Sequence, residues 1–400
     1  MIEEVIREIE LPCFVYETKK VTEQISRLKN SQPRNLDIFY AMKANPQPEI
    51  LKVTREENLG IEVASIGEME KAFLAGFKPE NMLVTGPGKT DQTLEYALKS
   101  NAGHIIIESL NEAKRLDQIA GRYNRRQPVL IRVSPANAVS GEDLVGGFAL
   151  FGGKPVKYGI DEENLQQVMP ELMKLNMISV EGIHVFAASG VSDYRLLIRH
   201  VDEIFDLVQN LKKSHLQISI IDFGGGFGYS HDDLYQFDTN SYFSELNQLV
   251  ELHSLENKRL FLELGAYIAA PSGTYVTEIV DVKQSRGENF LIVNGGIHHL
   301  LRPSLVSNHA IRVYDRNGKP VSENQSVEVN IAGNLCHPLD LLARGSRIPV
   351  KPENLDRLIG GKVAVLNCGA YGANFSISGF SLNDNPSIYV IDKVGNLKRC

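Results

Sequence analysis

Between about residue 36 and residue 265, short runs of branched and aromatic apolar residues alternate with longer stretches whose apolar positions recur every three or four residues. The first pattern predicts buried strands and the second amphipathic helices. Eight strand-like runs follow one another: LDIFYAMK (36–43), LGIEVAS (59–65), NMLVTG (81–86), HIIIES (104–109), QPVLIRVS (127–134), ISVEGIHV (178–185), ISIIDFGG (218–225) and RLFLELG (259–265). Stretches such as SIGEMEKAFLAGF and DQTLEYALKSNAG carry the helical spacing between them. Regular alternation predicts βα units with parallel pairing, and eight repeats predict an α/β chain whose 30–265 segment closes into a TIM-like (β/α)8 barrel.

After Gly265 the pattern changes. Val, Ile and Thr rise, helical periodicity fades, and turn signals such as RNGK (316–319) and KVGN (393–396) separate short runs. This predicts a β-rich barrel or sandwich domain over 266–400. The run LPCFVYE (11–17) is strand-like and precedes the barrel, so residues 1–29 are expected to join that sheet. The glycine-rich stretch 137–157 reads as a loop over the barrel mouth.

Composition narrows the function classes. With 400 residues, 43% hydrophobic and 23% charged, the chain can build two cores. No apolar run approaches the roughly 18 to 20 residues of a membrane span. The opening MIEEVIREIE is acidic where a signal or transit peptide would be basic or apolar, and a cytoplasmic location is expected. The four cysteines, Cys13, Cys336, Cys368 and Cys400, lack zinc-site spacing, which argues against a structural metal. A net charge of −7 without a basic tract gives no footprint for nucleic acid. The expected partner is a small molecule or another protein.

In a barrel of this kind the chemistry sits at the C-terminal ends of the strands. Lys43 closes the first run beside Phe39, Tyr40 and Met42, where desolvation would lower its pKa and suit it to Schiff-base formation. A surface lysine with a snorkelling stem is the plainer alternative. The DFGGGFG turn (222–228) follows the seventh run, and its glycines would let backbone N–H groups approach a phosphate. A tight structural turn would need the same residues. Ser189, after the sixth run, could add a hydroxyl to that phosphate. Glu263 ends the eighth run, where a carboxylate facing a pyridine nitrogen would keep it protonated and strengthen an electron sink; a salt-bridged strand end is the alternative.

These positions resemble the fold-type III pyridoxal-5′-phosphate (PLP) decarboxylases, the group containing diaminopimelate, ornithine and bacterial arginine decarboxylases. The resemblance spans nearly the whole chain through collinear motifs: YAMKANP (40–46), IEVAS (61–65), GIHVFAAS (182–189), GGGFG (224–228), ELG (263–265), NGGIHHLLRP (294–303), GNLCHPLD (333–340) and GAYGANFS (369–376). It implies Lys43 as the Schiff-base lysine, Ser189 with Gly224, Gly225 and Gly226 as the phosphate cradle, and Glu263 as the pyridinium partner. It implies Arg302 as a substrate-carboxylate ligand. Cys336, as proton donor, and Tyr371, at the phosphate, match residues that a partner subunit contributes, which implies a homodimer with shared sites.

Three departures bear on substrate. Phe186 stands where a histidine usually stacks on the cofactor ring, and Ala266 stands where an arginine usually helps hold the phosphate, so PLP is expected to be held less tightly unless Lys154, Lys157 or another cation compensates. His337 replaces the acid that usually reads a distal ammonium, which disfavours free lysine, ornithine or diaminopimelate. The C-x-P-x-D run ending at Asp340, with GPGK (86–89), looks more like decarboxylases of carrier-protein-tethered amino acids or of citryl-bearing siderophore intermediates. His337 and Asp340 are accordingly expected at the substrate. An alanine-racemase-like isomerase would pair the pyridine nitrogen with arginine rather than Glu263 and use tyrosine rather than Cys336. An inactive regulatory relative would not be expected to keep Lys43, Glu263, Cys336 and Tyr371.

Overall fold

The computed structural model describes residues 2–137, 152–186, 188–212, 217–305 and 309–400. The chain forms two compact units: residues 24–229 with 237–265, and residues 1–23 with 230–236 and 266–400. The small segment 230–236, embedded in the barrel sequence, was not anticipated. Most of the glycine-rich 137–157 stretch lies outside the described residues.

In the first unit, eight parallel strands close on themselves: β2 (Leu36–Ala41), β3 (Gly60–Val63), β4 (Met82–Val84), β5 (His104–Ile107), β6 (Gln127–Ser134), β8 (Ile178–Val185), β9 (Ile220–Asp222) and β10 (Arg259–Leu264). A two-residue strand, β7 (Ile160–Asp161), pairs beside β6. All eight predicted runs become barrel strands. Their nearly continuous apolar character reflects burial on both faces, inside against a packed layer and outside against helices. Phe39, Leu83, Ile106, Leu130, Ile220 and Phe261 form that inner layer.

Local sequence fixes where strand turns into helix. Ser65 and Ser109 cap the next helices by accepting from the Glu68 and Glu112 amides, and Glu68 Oε2 accepts from the Ala64 amide at 2.7 Å. These two bonds of Glu68 start a helix after a two-residue link from β3, so side chains at the strand end are held on a short stiff turn.

In the second unit, β1 (Cys13–Glu17) lies between β11 (Gly273–Ser285), antiparallel, and β17 (Ser387–Ile391), parallel. The N-terminal run LPCFVYE thus supplies a strand that pairs with two strands of the C-terminal segment. Strands β12 (Glu288–Val293), β14 (Val327–Ala332) and β15 (Leu341–Ile348) extend the sheet on one side. β16 (Lys362–Val365) pairs with β11, β13 (Ile311–Tyr314) pairs with β16, and β18 (Leu397–Arg399) closes the edge beyond β17. The KVGN turn links β17 to β18, with Gly395 at φ 97°. Cys13, Val15, Val276, Tyr314, Ala364 and Ile391 belong to its core.

Candidate active site

In the barrel unit, Lys43 sits on the turn just past β2. Its Nζ lies 2.8 and 2.9 Å from the two carboxylate oxygens of Glu62 in β3. The Lys43 side chain is 48% exposed and that of Glu62 only 2%. The desolvation expected for the lysine therefore falls on its partner. Burial pushes the Glu62 carboxyl up to about 7, even though Lys43 pulls it down. Glu62 was missed as a site residue; its signal was a lone charge inside the apolar run LGIEVAS.

His184, Asp222 and Glu263 come from the adjacent strands β8, β9 and β10, and their ligating atoms all lie within 4.8 Å of one another. Register makes the cluster: His184 pairs with Asp222 across β8 and β9. His184 Nε2 is 3.6 Å from Glu263 Oε2. Two buried carboxyls this close cannot both ionise. Burial and then Glu263 raise Asp222 well above the usual carboxylate range, so Asp222 keeps the proton. Burial alone would also raise Glu263, but His184 and Lys43 draw it down to about 2, so Glu263 is the anion. Burial holds His184 below its ordinary value, with Glu263 pulling the other way. Glu263 Oε1, Asp222 Oδ2 and His184 Nδ1 are buried with no hydrogen-bond partner among the described residues.

The glycine turn is bound to this cluster through the backbone. The Gly224 amide donates to Asp222 Oδ1 at 2.9 Å, and the Glu263 amide donates to the Gly224 carbonyl at 2.7 Å. A Cβ on Gly225 would lie 1.9 Å from the Glu263 carbonyl oxygen. Gly224 has φ +62° and lies under the Phe186 ring, so neither position admits a side chain. Phe186 and Ser189 are both half-buried after β8. Lys154 and Lys157 are exposed, and Lys157 Nζ lies 5.3 Å over the Tyr158 ring.

Beyond β4, β5 and β6 the strand ends carry a further buried ionic network. Lys89, from the GPGK turn, is 2.8 Å from Glu112, and Arg132 is 3.0 Å from Glu108. Glu108 also accepts from the Gly159 amide at 3.0 Å. Lys89 is almost fully buried, so the pairs fix the turns rather than meet a ligand by themselves.

In the second unit, the Arg302 guanidinium lies 5.4 Å over the Tyr371 ring of the same chain. Tyr371 adopts φ +53°, an uncommon conformation for a bulky residue. Cys336 and His337 are exposed. His337 Nδ1 accepts from the Leu339 amide at 3.2 Å, and its ring meets Phe380 edge-on at 6.1 Å. Asp340 has a different occupation from the substrate contact expected of it. It is 4% exposed, and its two oxygens accept from the Ile297 and Leu335 amides, each at 2.7 Å. Its charge holds the loop that carries Cys336 and His337.

A closed parallel barrel presents its reacting end at the C-terminal ends of its strands, and here those ends gather a lysine, a carboxylate cluster and a glycine turn. That is the layout of an enzyme working through a bound cofactor. Residues 18–270 match the family model described as pyridoxal-dependent decarboxylase, pyridoxal binding domain. Among curated relatives, the 2-[(L-alanin-3-ylcarbamoyl)methyl]-2-hydroxybutanedioate decarboxylase of Staphylococcus aureus is 30% identical over 93% of this chain and 92% of its own length. The L-glutamyl-[BtrI acyl-carrier protein] decarboxylase of Niallia circulans is 31% identical over 92% of this chain and 86% of its own. The crystal structure of Helicobacter pylori diaminopimelate decarboxylase complexed with L-lysine shares the fold, with a TM-score of 0.88 at 24% identity, covering 100% of this chain and 95% of that one.

The chain belongs to the pyridoxal-dependent decarboxylases. Its cofactor is PLP and its reaction class is decarboxylation. The residues fit that cofactor: an unpartnered buried carboxylate oxygen on Glu263 suits a protonated pyridine nitrogen, and a turn that excludes side chains suits a phosphate. Among the described residues, no helix is long and apolar enough to cross a membrane.

Proposed function

We propose that this enzyme decarboxylates an amino acid joined to a larger group, either a citryl-type conjugate in a siderophore or natural-product route or a carrier-tethered aminoacyl substrate. In this reading Lys43 links to the cofactor, Glu263 faces its pyridine nitrogen, and Phe186 stacks on its ring. Ser189 and the amides of Gly225 and Gly226 would meet its phosphate, with Gly224 setting the turn. PLP, when bound, supplies the sink for the electron pair left by the departing carboxylate.

The observation that carries the catalytic half is the division of charge between Glu263 and Asp222. Asp222 keeps the proton, and Glu263 stays anionic where the ring nitrogen needs a counter-charge. The substrate half rests on His337. Where free-diamino-acid enzymes offer an acid, this chain presents an exposed imidazole turned onto its own loop and Phe380, so a distal ammonium finds no carboxylate at that position. Arg302 takes a substrate carboxylate, and Cys336 returns a proton to the reacting carbon.

We further propose that the enzyme works as a homodimer, with Cys336, His337 and Tyr371 supplied to the site of the second copy, Tyr371 at its phosphate. Exposed Leu339, Phe375, Ile377, Phe380 and Leu382 accompany them on the surface of this unit and suit burial against another subunit. Curated relatives that are diaminopimelate decarboxylases, such as that of Zymomonas mobilis at 27% identity, support a free diamino acid as the second reading.

The test is an absorbance scan of the PLP-reconstituted protein followed by carbon dioxide release from diaminopimelate, lysine, ornithine, a citryl–diaminopropionate conjugate and a carrier-linked glutamyl substrate. A visible cofactor band, absent from Lys43→Ala, with release from the conjugated or tethered compounds alone is the expected result. Release from a free diamino acid would replace the substrate reading. No band would overturn the assignment of Lys43.

A further inference from the structure

The surroundings of Arg302 contain a histidine that the proposed chemistry does not use. His231 comes from the short 230–236 segment and belongs to the same unit as Arg302. Its Nδ1 lies 2.9 Å from the Asn367 carbonyl oxygen, and its Nε2 lies 3.2 Å from Arg302 Nη2. The ring is 4% exposed.

The partners dictate the tautomer. A carbonyl oxygen only accepts and a guanidinium only donates. Nδ1 must therefore carry the hydrogen and Nε2 the lone pair, and a protonated ring would turn an N–H against a cation. The groups around the ring agree with a neutral imidazole. The His309 ring stands 4.4 Å away by centroid, with its own Nδ1 on the Leu366 carbonyl at 2.8 Å. Of the acids on its own segment, Asp233 is engaged by Asn367 Nδ2 at 2.7 Å and Asp232 by Ser230 Oγ at 2.6 Å. Tyr371 faces the guanidinium. Burial, then His309 and Arg302, hold His231 well below its ordinary pKa.

We propose that His231 is a positioning residue for substrate recognition: locked as a neutral acceptor by the Asn367 carbonyl, it fixes the Arg302 guanidinium so that its other donors are aimed at a substrate carboxylate. This rests on the reading of Arg302 as the carboxylate ligand. The segment is anchored for the task. The Ala310 amide donates to the His231 carbonyl at 2.8 Å, and Asn367 Nδ2 donates to the same oxygen at 3.2 Å. An arginine has many rotamers, and a fixed acceptor on one nitrogen reduces what binding must order.

Two measurements test it. Nitrogen-15 NMR of the imidazole in the full-length protein should show a protonated Nδ1 and a bare Nε2 on His231; a hydrogen on Nε2 would overturn the proposal whatever the substrate. The second is carbon dioxide release by the PLP-loaded protein from 2-[(L-alanin-3-ylcarbamoyl)methyl]-2-hydroxybutanedioate as probe, with KM read as its apparent affinity and kcat separately. His231→Phe, which keeps ring volume without the acceptor, should raise KM about tenfold with a smaller change in kcat, and His231→Gln, which returns an acceptor at similar reach, should recover most of the loss. Thermal melts check that each variant is folded. If Arg302→Ala weakens the probe and His231→Phe does not, His231 has no positioning role while the Arg302 reading stands. If Arg302→Ala leaves affinity unchanged, or the wild type does not take the probe, the reading of Arg302 for this substrate falls, and the imidazole spectrum alone decides the contact.

Discussion

The barrel unit and the β unit assemble their candidate residues by opposite means. In the barrel, Lys43, Glu62, His184, Asp222 and Glu263 stand at or near the ends of β2, β3, β8, β9 and β10, and burial together with neighbouring charge sets the states of the carboxyls and the imidazole. In the β unit, Arg302, His231, Cys336, His337 and Tyr371 sit outside the strands, and backbone groups set the state of what lies there. The Asn367 carbonyl fixes one imidazole, and two amides consume the Asp340 carboxylate. A parallel barrel ties each strand to a neighbour in fixed register, so side chains converge without help. A loop has no register, and its buried polar groups must be satisfied one at a time.

The largest expected effect comes from breaking the barrel's charge logic. Glu263→Gln removes the anion without changing size, so kcat should fall by roughly a hundredfold while the cofactor band remains. Because His184 and Lys43 hold Glu263 below the ordinary carboxylate range, no step of the wild-type rate profile near neutral pH should belong to it. A variant with kcat within a factor of three of wild type would show that the cofactor does not rely on this carboxylate.

Breaking the backbone logic of the β unit should act on stability first. Asp340→Asn keeps one acceptor of two and faces an amide with another N–H donor, which should cost about 2 kcal/mol. Thermal melts should show the loss, and kcat should drop as well, since the loop closed by Asp340 carries Cys336 and His337. An unchanged melting temperature would mean that these amides find other partners.

The same contrast explains what the sequence made legible. Every barrel strand was readable because burial on both faces leaves a short apolar run bounded by turn residues, and Lys43 and Glu263 were readable as charges where such runs end. Glu62 is just as visible inside LGIEVAS, but its role depends on the strand lying next to β2, which periodicity does not report. Asp222 was read as part of a turn rather than as a proton holder, because its state follows from proximity to Glu263. In the β unit, His231 lies 71 residues from Arg302, and no local pattern links the two. Asp340 looked like a substrate contact because a motif preserves residue identity and says nothing of which way a side chain points.

The smallest effect sharpens the barrel side of the contrast through pH. Glu62 is raised from an ordinary 4.5 to about 7 in the folded chain. The folded state therefore binds a proton that the unfolded state has released across that window. By linkage, the contribution of Glu62 to stability is fully present below about 4.5 and is lost as pH rises through 7. In Glu62→Gln that slope should vanish, so the difference in melting temperature between variant and wild type should shift in favour of the variant from pH 5 to pH 7.5. Lys43 opposes the trend by stabilising the carboxylate, which makes Lys43→Ala steepen it. Parallel melting curves for wild type and Glu62→Gln across this range would mean that Glu62 stays ionised beside Lys43 throughout. In that case the pair would be an ordinary ion pair, and the barrel's charge logic would rest on Glu263 and Asp222 alone.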